Sequence, residues 1–536
     1  MEKYLILNTL NFPILSLLLV IPVIGAVVAM FMRGDTLLKF WGLAVTLVTA
    51  LVSLPLWTNF DAATAKYQFV ELRHWFPALD LNYVVGVDGI SVLLVLLTTL
   101  IMPLCILCSW TYIKTRMKEF IIVTLLMETA MLGVFVSMNT VLFYIFWEGM
   151  LVPMYLIIAV WGGERKDYAS IKFFLYTFAG SIFLLVAIVA MYITTGTFFI
   201  PALMEHSFPF GYQMWIFAAC ALGFAIKMPM FPFHTWLPAA HVEAPVAGSV
   251  ILASILLKMG GYGFLRFCLP MAPAATLYCM PFLLIMSLIS IVVGGYLALG
   301  QSDVKKLIAY SSVGHMGFVT LGIFLLNDAG IKGAMLQMLN HGVTTGALFI
   351  LIGIIYERTH SRELSVNNKL GMFMPIYVTF LGIFSLSSLA FPGTNSFVGE
   401  FLVLYGAFDK FPVVGAVSIL GAILAAAYML RMLQKMVWDD SDGHVHHGED
   451  HGHDDDNGGH KLFDCNFREF IQLAFLTVFV FWIGLHPQPL LHIMDTSVAH
   501  LIHQIDAGSA VQEAVHHHGE HHALLETAGA WVRNLL

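Results

Sequence analysis

The chain has 536 residues, of which 59% are hydrophobic and only 11% charged, and its mean hydropathy is +0.82. Apolar runs of about 18 or more residues recur along it, each long enough to cross a bilayer as a helix, which excludes the soluble fold classes. The net charge of −8 includes no basic stripe to grip nucleic acid, and the six cysteines have no framework spacing.

In chain order, the first run, MEKYLILNTLNFPILSLLLVIPVIGAVVAMFM, lacks a cationic leader and a small-residue cleavage site, so it reads as a first span rather than a removed signal peptide. The pattern predicts about fourteen spans, near residues 10–32, 37–57, 91–112, 119–138, 140–161, 170–192, 214–237, 246–268, 275–298, 306–326, 331–356, 371–405, 413–437 and 468–489. The expected class is an all-α membrane protein. Residues 1–112 hold three spans and a mixed loop at 58–90 that ends in VGVDGIS. Residues 438–467 form a His/Asp-rich hydrophilic linker, and 468–536 the last span and a polar tail. Cys105 and Cys108 form a C-x-x-C inside an apolar helix; iron–sulfur ligation needs more thiolates, so they read as small packing residues.

Two spans are interrupted: the seventh by KMPMFPFHTWLP and the twelfth by LSSLAFPGTNSFVGEF. Proline cannot continue the i→i−4 ladder, and irregular backbone at membrane depth is tolerated only where it is buried or lines a cavity. The breaks lie five spans apart, the pattern of a transporter built from repeats. Residues 113–268 (spans 4–8) and 269–437 (spans 9–13) are then two repeats. Each has five spans, an odd number, so the copies are inverted. With the N-terminus outside, 17 Lys and Arg fall in inside loops and 7 outside, which places both termini outside by the positive-inside rule.

Seven ionisable residues fall well inside apolar spans: Glu128, Glu148, Lys227, Lys258, His315, His341 and Glu400. Lysine at bilayer depth costs roughly 2.5–3.5 kcal/mol on insertion scales and needs a partner or a wet cavity. Glu128, Glu148, His315 and His341 lie eight to ten residues into their spans, Lys227 and Lys258 twelve to thirteen, and Glu400 seven after Gly393. A common depth describes a row along the membrane plane, suited to proton relay. Glu148 and Lys227 read as a switchable pair, since separating them disfavours the lysine's charge. Lys258 is the next acceptor, His315 and His341 exchange protons near neutral pH, and Glu400 ends the row. His234 and Glu128 are also candidates for proton transfer, and a satisfied packing role fits either nearly as well. His241 and Glu243 follow the first break, where capping and interface roles are equally open. Gln337, Asn340, Thr344 and Thr345 flank His341 and read as a hydrated path, as interhelical hydrogen bonds, or as both.

At these residues a family becomes recognisable. The runs FYIFWEGMLVPMYLIIAVWGGERKDYASIKFFLYTFAGS, HTWLPAAHVEAPVAGSVILASILLKMGGYG and PGTNSFVGEFL closely resemble the subunit M (chain 4) family of antiporter-like subunits in respiratory NADH:quinone oxidoreductase, complex I. The resemblance spans roughly residues 85–437, with looser similarity elsewhere. It implies a fourteen-helix, proton-translocating subunit of the inner membrane, with no redox cofactor in this chain. NAD, FMN, iron–sulfur clusters and quinone are expected in partner subunits, which include two further antiporter-like chains. By the same resemblance Glu148 and Lys227 match the fifth- and seventh-span pair, Lys258 the eighth-span lysine, His315 and His341 the connecting histidines, and Glu400 the last carboxylate.

Two features depart from the family. Asn139 stands before the fifth span where many relatives carry an acid. The linker DDSDGHVHHGEDHGHDDDNGGH and the tail HHHGEHH contain ligand types for zinc, copper or nickel but no fixed four-ligand spacing; they read as solvated segments without a metal. Competing functions are a subunit of a multisubunit cation/proton antiporter or membrane-bound hydrogenase, a divalent-metal transporter, and a passive scaffold. A metal transporter needs His and Asp ligands a turn apart within a span, and the sequence has none. A scaffold needs no midplane lysines.

Overall fold

The computed structural model describes residues 4–8, 10, 12–76, 81–438 and 463–516, with side chains as far as residue 508. The His/Asp-rich run at 439–460 lies outside the described residues, as does the tail from 517 onward.

The chain opens with β1 (Leu5–Leu7), α1 (Ile14–Phe31), α2 (Asp35–Ser53) and the short α3 (Pro55–Thr58). The loop expected at 58–90 is partly sheet: β2 (Tyr67–Phe76) pairs in parallel with β1 and antiparallel with β3 (Leu81–Val87). This small sheet is the one departure from an all-helical architecture among the described residues, and it marks one end of the molecule, here the sheet face. Burial runs along its strands rather than alternating: the start of β2 is buried and its end exposed, and Tyr67, Val70 and Val84 pack with Met138 and Phe199 in a small cluster of their own.

Asp88 then starts α4 (Val92–Cys108), its Oδ1 accepting from the backbone N–H of Ile90 (3.2 Å) and Ser91 (3.1 Å). Next come α5 (Met117–Val136), α6 (Thr140–Gly149), α7 (Leu151–Trp161), α8 (Lys166–Thr195), α9 (Ile200–Glu205) and α10 (Phe210–Lys227). Asn139 caps α6 by accepting from Val141 N at 2.9 Å and Leu142 N at 3.3 Å, a role for which an amide oxygen is well suited.

Both expected breaks are present. After α10, Pro229 and Pro232 interrupt the ladder, and the chain resumes as α11 (Trp236–Glu243). One continuous buried rod follows, from α12 (Val246–Ile251) through α13 (Leu257–Gly263) to α14 (Leu269–Met271), with π-helical turns at Leu252–Leu256 and Phe264–Cys268. The second part runs through α15 (Pro273–Leu299), α16 (Val304–Phe324), α17 (Asp328–Thr359), α18 (Leu370–Phe373) and α19 (Pro375–Ser388). Pro392 and Gly393 (φ +93°) separate α19 from α20 (Asn395–Lys410). The last elements are α21 (Pro412–Leu433), α22 (Phe467–Leu485) and α23 (Gln488–His516). The helix α23 occupies what the sequence reads as a polar tail.

Twelve helices among the described residues are long and apolar enough to cross a membrane, and Val92–Cys108 and Pro375–Ser388 are shorter apolar helices. Burial orders them. The windows in Val246–Met271 and Asp328–Thr359 are 100% buried, whereas those in Phe467–Leu485 and Lys166–Thr195 are 33% and 39% buried. The first two are therefore the axis of the bundle and the others face its surroundings. Polar side chains within those buried windows meet protein on every side.

Candidate functional site: a buried row of titratable groups

Lys258 sits on the axial rod two residues beyond the first π turn and is fully buried. Such a turn displaces backbone from the regular ladder and recurs at functional positions. Here the Lys258 ammonium donates to the carbonyl of Ala253, inside the π turn. Its Nζ also lies 2.6 Å from Nδ1 of His341 on the second axial helix, α17. The two helices are pinned at this level, since Ser254 Oγ donates to the carbonyl of Gly342 at 2.7 Å.

From His341 the row continues into the second part of the chain. The rings of His341 and His315 (on α16) have centroids 5.7 Å apart. His315 Nδ1 lies 3.0 Å from Oε1 of Glu400, which is buried on the first turns of α20 after the break. Gln337 Nε2 donates to the same oxygen at 2.9 Å. The other nitrogen of His315 lies 3.3 Å from Ser388 Oγ and 3.5 Å from the Tyr428 hydroxyl. Lys258, His341, His315 and Glu400 thus form one run of neighbouring titratable groups crossing four helices.

Glu148 and Lys227 are arranged differently. Lys227 ends α10, where the C-terminal dipole favours a cation. Its Nζ is buried without a hydrogen-bond partner, 5.4 Å from the centre of the Trp147 ring and 5.8 Å from that of Phe173. Aromatic faces stabilise an ammonium without ordering a hydrogen bond. Glu148 lies within electrostatic reach of Lys227, and its Oε1 is likewise buried without a hydrogen-bond partner. The two groups are neighbours with no hydrogen bond between them.

Glu128 stands apart. It is fully buried in α5, and neither carboxylate oxygen has a hydrogen-bond partner. His234 stacks on Phe231 with centroids 5.6 Å apart and has an unpartnered Nδ1. His241 is fully buried, parallel to the Phe349 ring at 4.5 Å, and neither ring nitrogen has a partner. Glu243 joins two segments: its carboxylate accepts from Arg165 N at 3.0 Å and its carbonyl from Gly163 N at 2.9 Å. A polar cavity of about 340 Å³ on the face opposite the sheet is lined by Glu243, Asp303, Lys305, Phe349 and Arg362. Among the described residues, no three His, Cys, Asp or Glu side chains come together to hold a metal.

Sequence reasoning missed the aromatic walls of Lys227 and the hydroxyls of Ser388 and Tyr428 that meet His315. Trp147 carried a readable signal, standing directly before Glu148. Tyr428 carried none, because it reaches His315 from a helix more than a hundred residues on.

Comparisons with known proteins bear on the family and the fold. A family model described as "NADH:quinone oxidoreductase/Mrp antiporter, TM" matches residues 137–425, and one described as "NADH-ubiquinone oxidoreductase chain 4, amino terminus" matches residues 15–134. NADH-quinone oxidoreductase subunit M of Rhodobacter capsulatus is 44% identical over 520 residues, covering 93% of this chain and 98% of that protein. NADH-ubiquinone oxidoreductase chain 4 of Arabidopsis thaliana is 44% identical over 492 residues, covering 91% of this chain and 97% of that one. Among solved structures, a chain of respiratory complex I from Thermus thermophilus with bound NADH superposes with a TM-score of 0.80 at 29% identity, covering 91% of this chain and 99% of that chain. The helical bundle and these matches together define a multi-pass membrane subunit of the antiporter-like class. The chain belongs to the subunit M (chain 4) family of NADH:quinone oxidoreductase.

Proposed function

We propose that this chain is a proton-translocating subunit of a respiratory NADH:quinone oxidoreductase, and that Glu148, Lys227, Lys258, His341, His315 and Glu400 carry the proton along the membrane plane. The observation that carries the reading is the run of close contacts from Lys258 to Glu400, at 2.6 Å, 5.7 Å between ring centroids, and 3.0 Å. A proton moves between groups at hydrogen-bond distance or through one water, and the unpartnered Nε2 of His341 is an atom such a water joins. The open contact between Glu148 and Lys227 is the switch. Closed, it holds the ammonium charged; opened, it leaves a buried cation with aromatic neighbours alone, and the proton is driven onward to Lys258.

Quinone reduction in partner subunits supplies the energy, and NAD, FMN, iron–sulfur clusters and quinone belong to those partners. Assembly places this chain beside two further antiporter-like chains and smaller membrane subunits. Twelve long helices, Val92–Cys108 and the α19–α20 pair make fourteen crossings. The broken elements α10–α11 and α19–α20 occupy equivalent places in two inverted repeats. The distribution of 17 inside and 7 outside basic residues puts the sheet face and both termini outside, the periplasmic side of an inner membrane.

The test is proton uptake by vesicles containing the whole complex, with a native gel to establish assembly. Glu148→Ala and Lys227→Ala are expected to nearly abolish pumping and the coupled quinone reduction, since stranding one partner of a buried pair costs about 3–5 kcal/mol. Lys227→Arg fails as well, because a guanidinium keeps its proton at every working pH. Lys258→Ala and Glu400→Ala assemble but pump poorly. Wild-type pumping by Lys227→Arg makes Lys227 a structural cation and ends the relay reading.

A further inference from the structure

One buried charge lies on the Lys258 rod without belonging to the row. Arg266 is eight residues beyond Lys258, about 12 Å along the rod at 1.5 Å per residue, toward the sheet face. Every branch of its guanidinium is engaged. One terminal nitrogen lies 2.6 Å from Asp88 Oδ1, the other donates to the Tyr67 hydroxyl at 2.8 Å, and Nε donates to the Tyr262 hydroxyl at 3.3 Å. The rings of Tyr67 and Tyr262 flank it, with centroids 5.1 and 5.2 Å from the guanidinium carbon. Asp88 is fixed in turn by the first turn of α4, and the neighbouring Gly89 N–H donates to Ser497 Oγ of α23 at 3.0 Å. Against the cluster is a cavity of about 250 Å³ on the sheet face, lined by Asp88, Tyr67 and Arg266 together with Lys66, Glu205 and His500. Lys66 and Glu205 are exposed, so the cavity meets solvent. Tyr262 stands one helical turn from Lys258.

We propose that Arg266, with Asp88, Tyr67 and Tyr262, forms a proton barrier that closes the outer end of the Lys258 rod, so that a proton on Lys258 leaves sideways to His341. The inference rests on the relay reading above and adds what keeps the relay from leaking. A conduit through this position requires a group that exchanges protons near neutral pH, and the cluster is made of groups that do not. A guanidinium never releases its proton in a protein. Burial pushes the Tyr67 phenol above its ordinary range, against the opposing pull of Arg266. Burial also works against the Asp88 carboxylate, yet Arg266 and the hydrogen bonds from Ser91 hold it below the usual carboxylate range. A fixed cation at a constriction repels an arriving proton, as arginine does in other membrane pores, and its immobilisation by three partners keeps it in place.

The experiment uses the whole complex in vesicles, idle and without NADH, with a potassium diffusion potential driving protons inward or outward. Arg266→Gln is expected to raise passive proton leak several-fold, while NADH-driven quinone reduction continues and the gradient it builds falls. Arg266→Lys, which keeps the charge but can deprotonate, leaks at an intermediate rate and carries the test if Arg266→Gln fails to assemble. Adding Lys258→Met to either variant returns the leak to the wild-type level. Wild-type leak in the assembled Arg266 variants overturns the barrier. Leak that persists without Lys258 overturns it too, because the proton then does not come from the row. The relay itself is judged separately, by whether Lys258→Ala alone impairs pumping.

Discussion

Gln337 and His315 converge on one oxygen of Glu400, and that convergence separates charge from shape. Glu400→Gln keeps an acceptor for both neighbours but cannot carry a proton, so it should assemble normally and lose pumping. Gln337→Leu removes one hydrogen bond to a charged group, a contribution of roughly 1.5–3 kcal/mol, and should slow pumping without abolishing it. Proton uptake against quinone reduction in vesicles ranks the two. Wild-type pumping by Glu400→Gln would mean that shape alone matters at Glu400. A second pair acts on His341. Ser254→Ala deletes one interhelical hydrogen bond, about 0.6 kcal/mol on average in membranes. Gly342→Val, in contrast, drives a side chain toward Leu97 and the Ser254 carbonyl, which lie 2.9 and 3.0 Å from where a Cβ would stand. The first should pump nearly as wild type and the second should not. These residues were readable in part: an ionisable side chain in an apolar run announces itself, but which pairs touch depends on helix packing that no span records.

At the level of elements, the broken helix α10–α11 depends on the second part of the chain to hold its end. Lys305, at the start of α16, donates to the carbonyls of Ala244 (2.6 Å) and Val242 (3.4 Å), and Arg362 donates to Val242 as well. Cations satisfy orphan carbonyls and complement the dipole at a helix C-terminus. The helix so held carries His241 and leads through Pro245 into the Lys258 rod. Lys305→Met should therefore lower pumping in an assembled complex, and Lys305→Arg should restore most of it; a Met variant that pumps normally would show that α11 needs no clamp. Both breaks were legible because proline leaves a chemical mark in the sequence. The sheet and α23 were not, for a common reason. Hydropathy marks long apolar runs, whereas β2, β3 and the last helix mix polar and apolar residues.

Across the whole molecule, α23 acts as a strap over the sheet face. Twenty-nine residues reach about 43 Å at 1.5 Å per residue, and the strap touches segments far apart in the chain. Asp495 pairs with Lys332 of α17 at 2.7 Å, Thr496 Oγ1 donates to the Ala62 carbonyl at 2.6 Å, and Ser497 accepts from Gly89 beside the Arg266 cluster. On either side of these anchors Leu490, Ile493, Met494, Val498, Leu501 and Ile505 are buried, an i, i+3, i+4 stripe along one face. Each such side chain contributes roughly 1.5–3 kcal/mol where burial removes it from water, so the strap is held by packing more than by its ion pair. Two truncations separate it from the segment beyond. A chain ending at His516 keeps the strap and should assemble and pump as the full chain does. A chain ending at Pro487 loses the strap and should accumulate less assembled complex on a native gel, and the complex that does form should leak protons as the Arg266 variants do. Full pumping without leak in the shorter chain would show that the Asp88 loop and the sheet hold that face closed unaided.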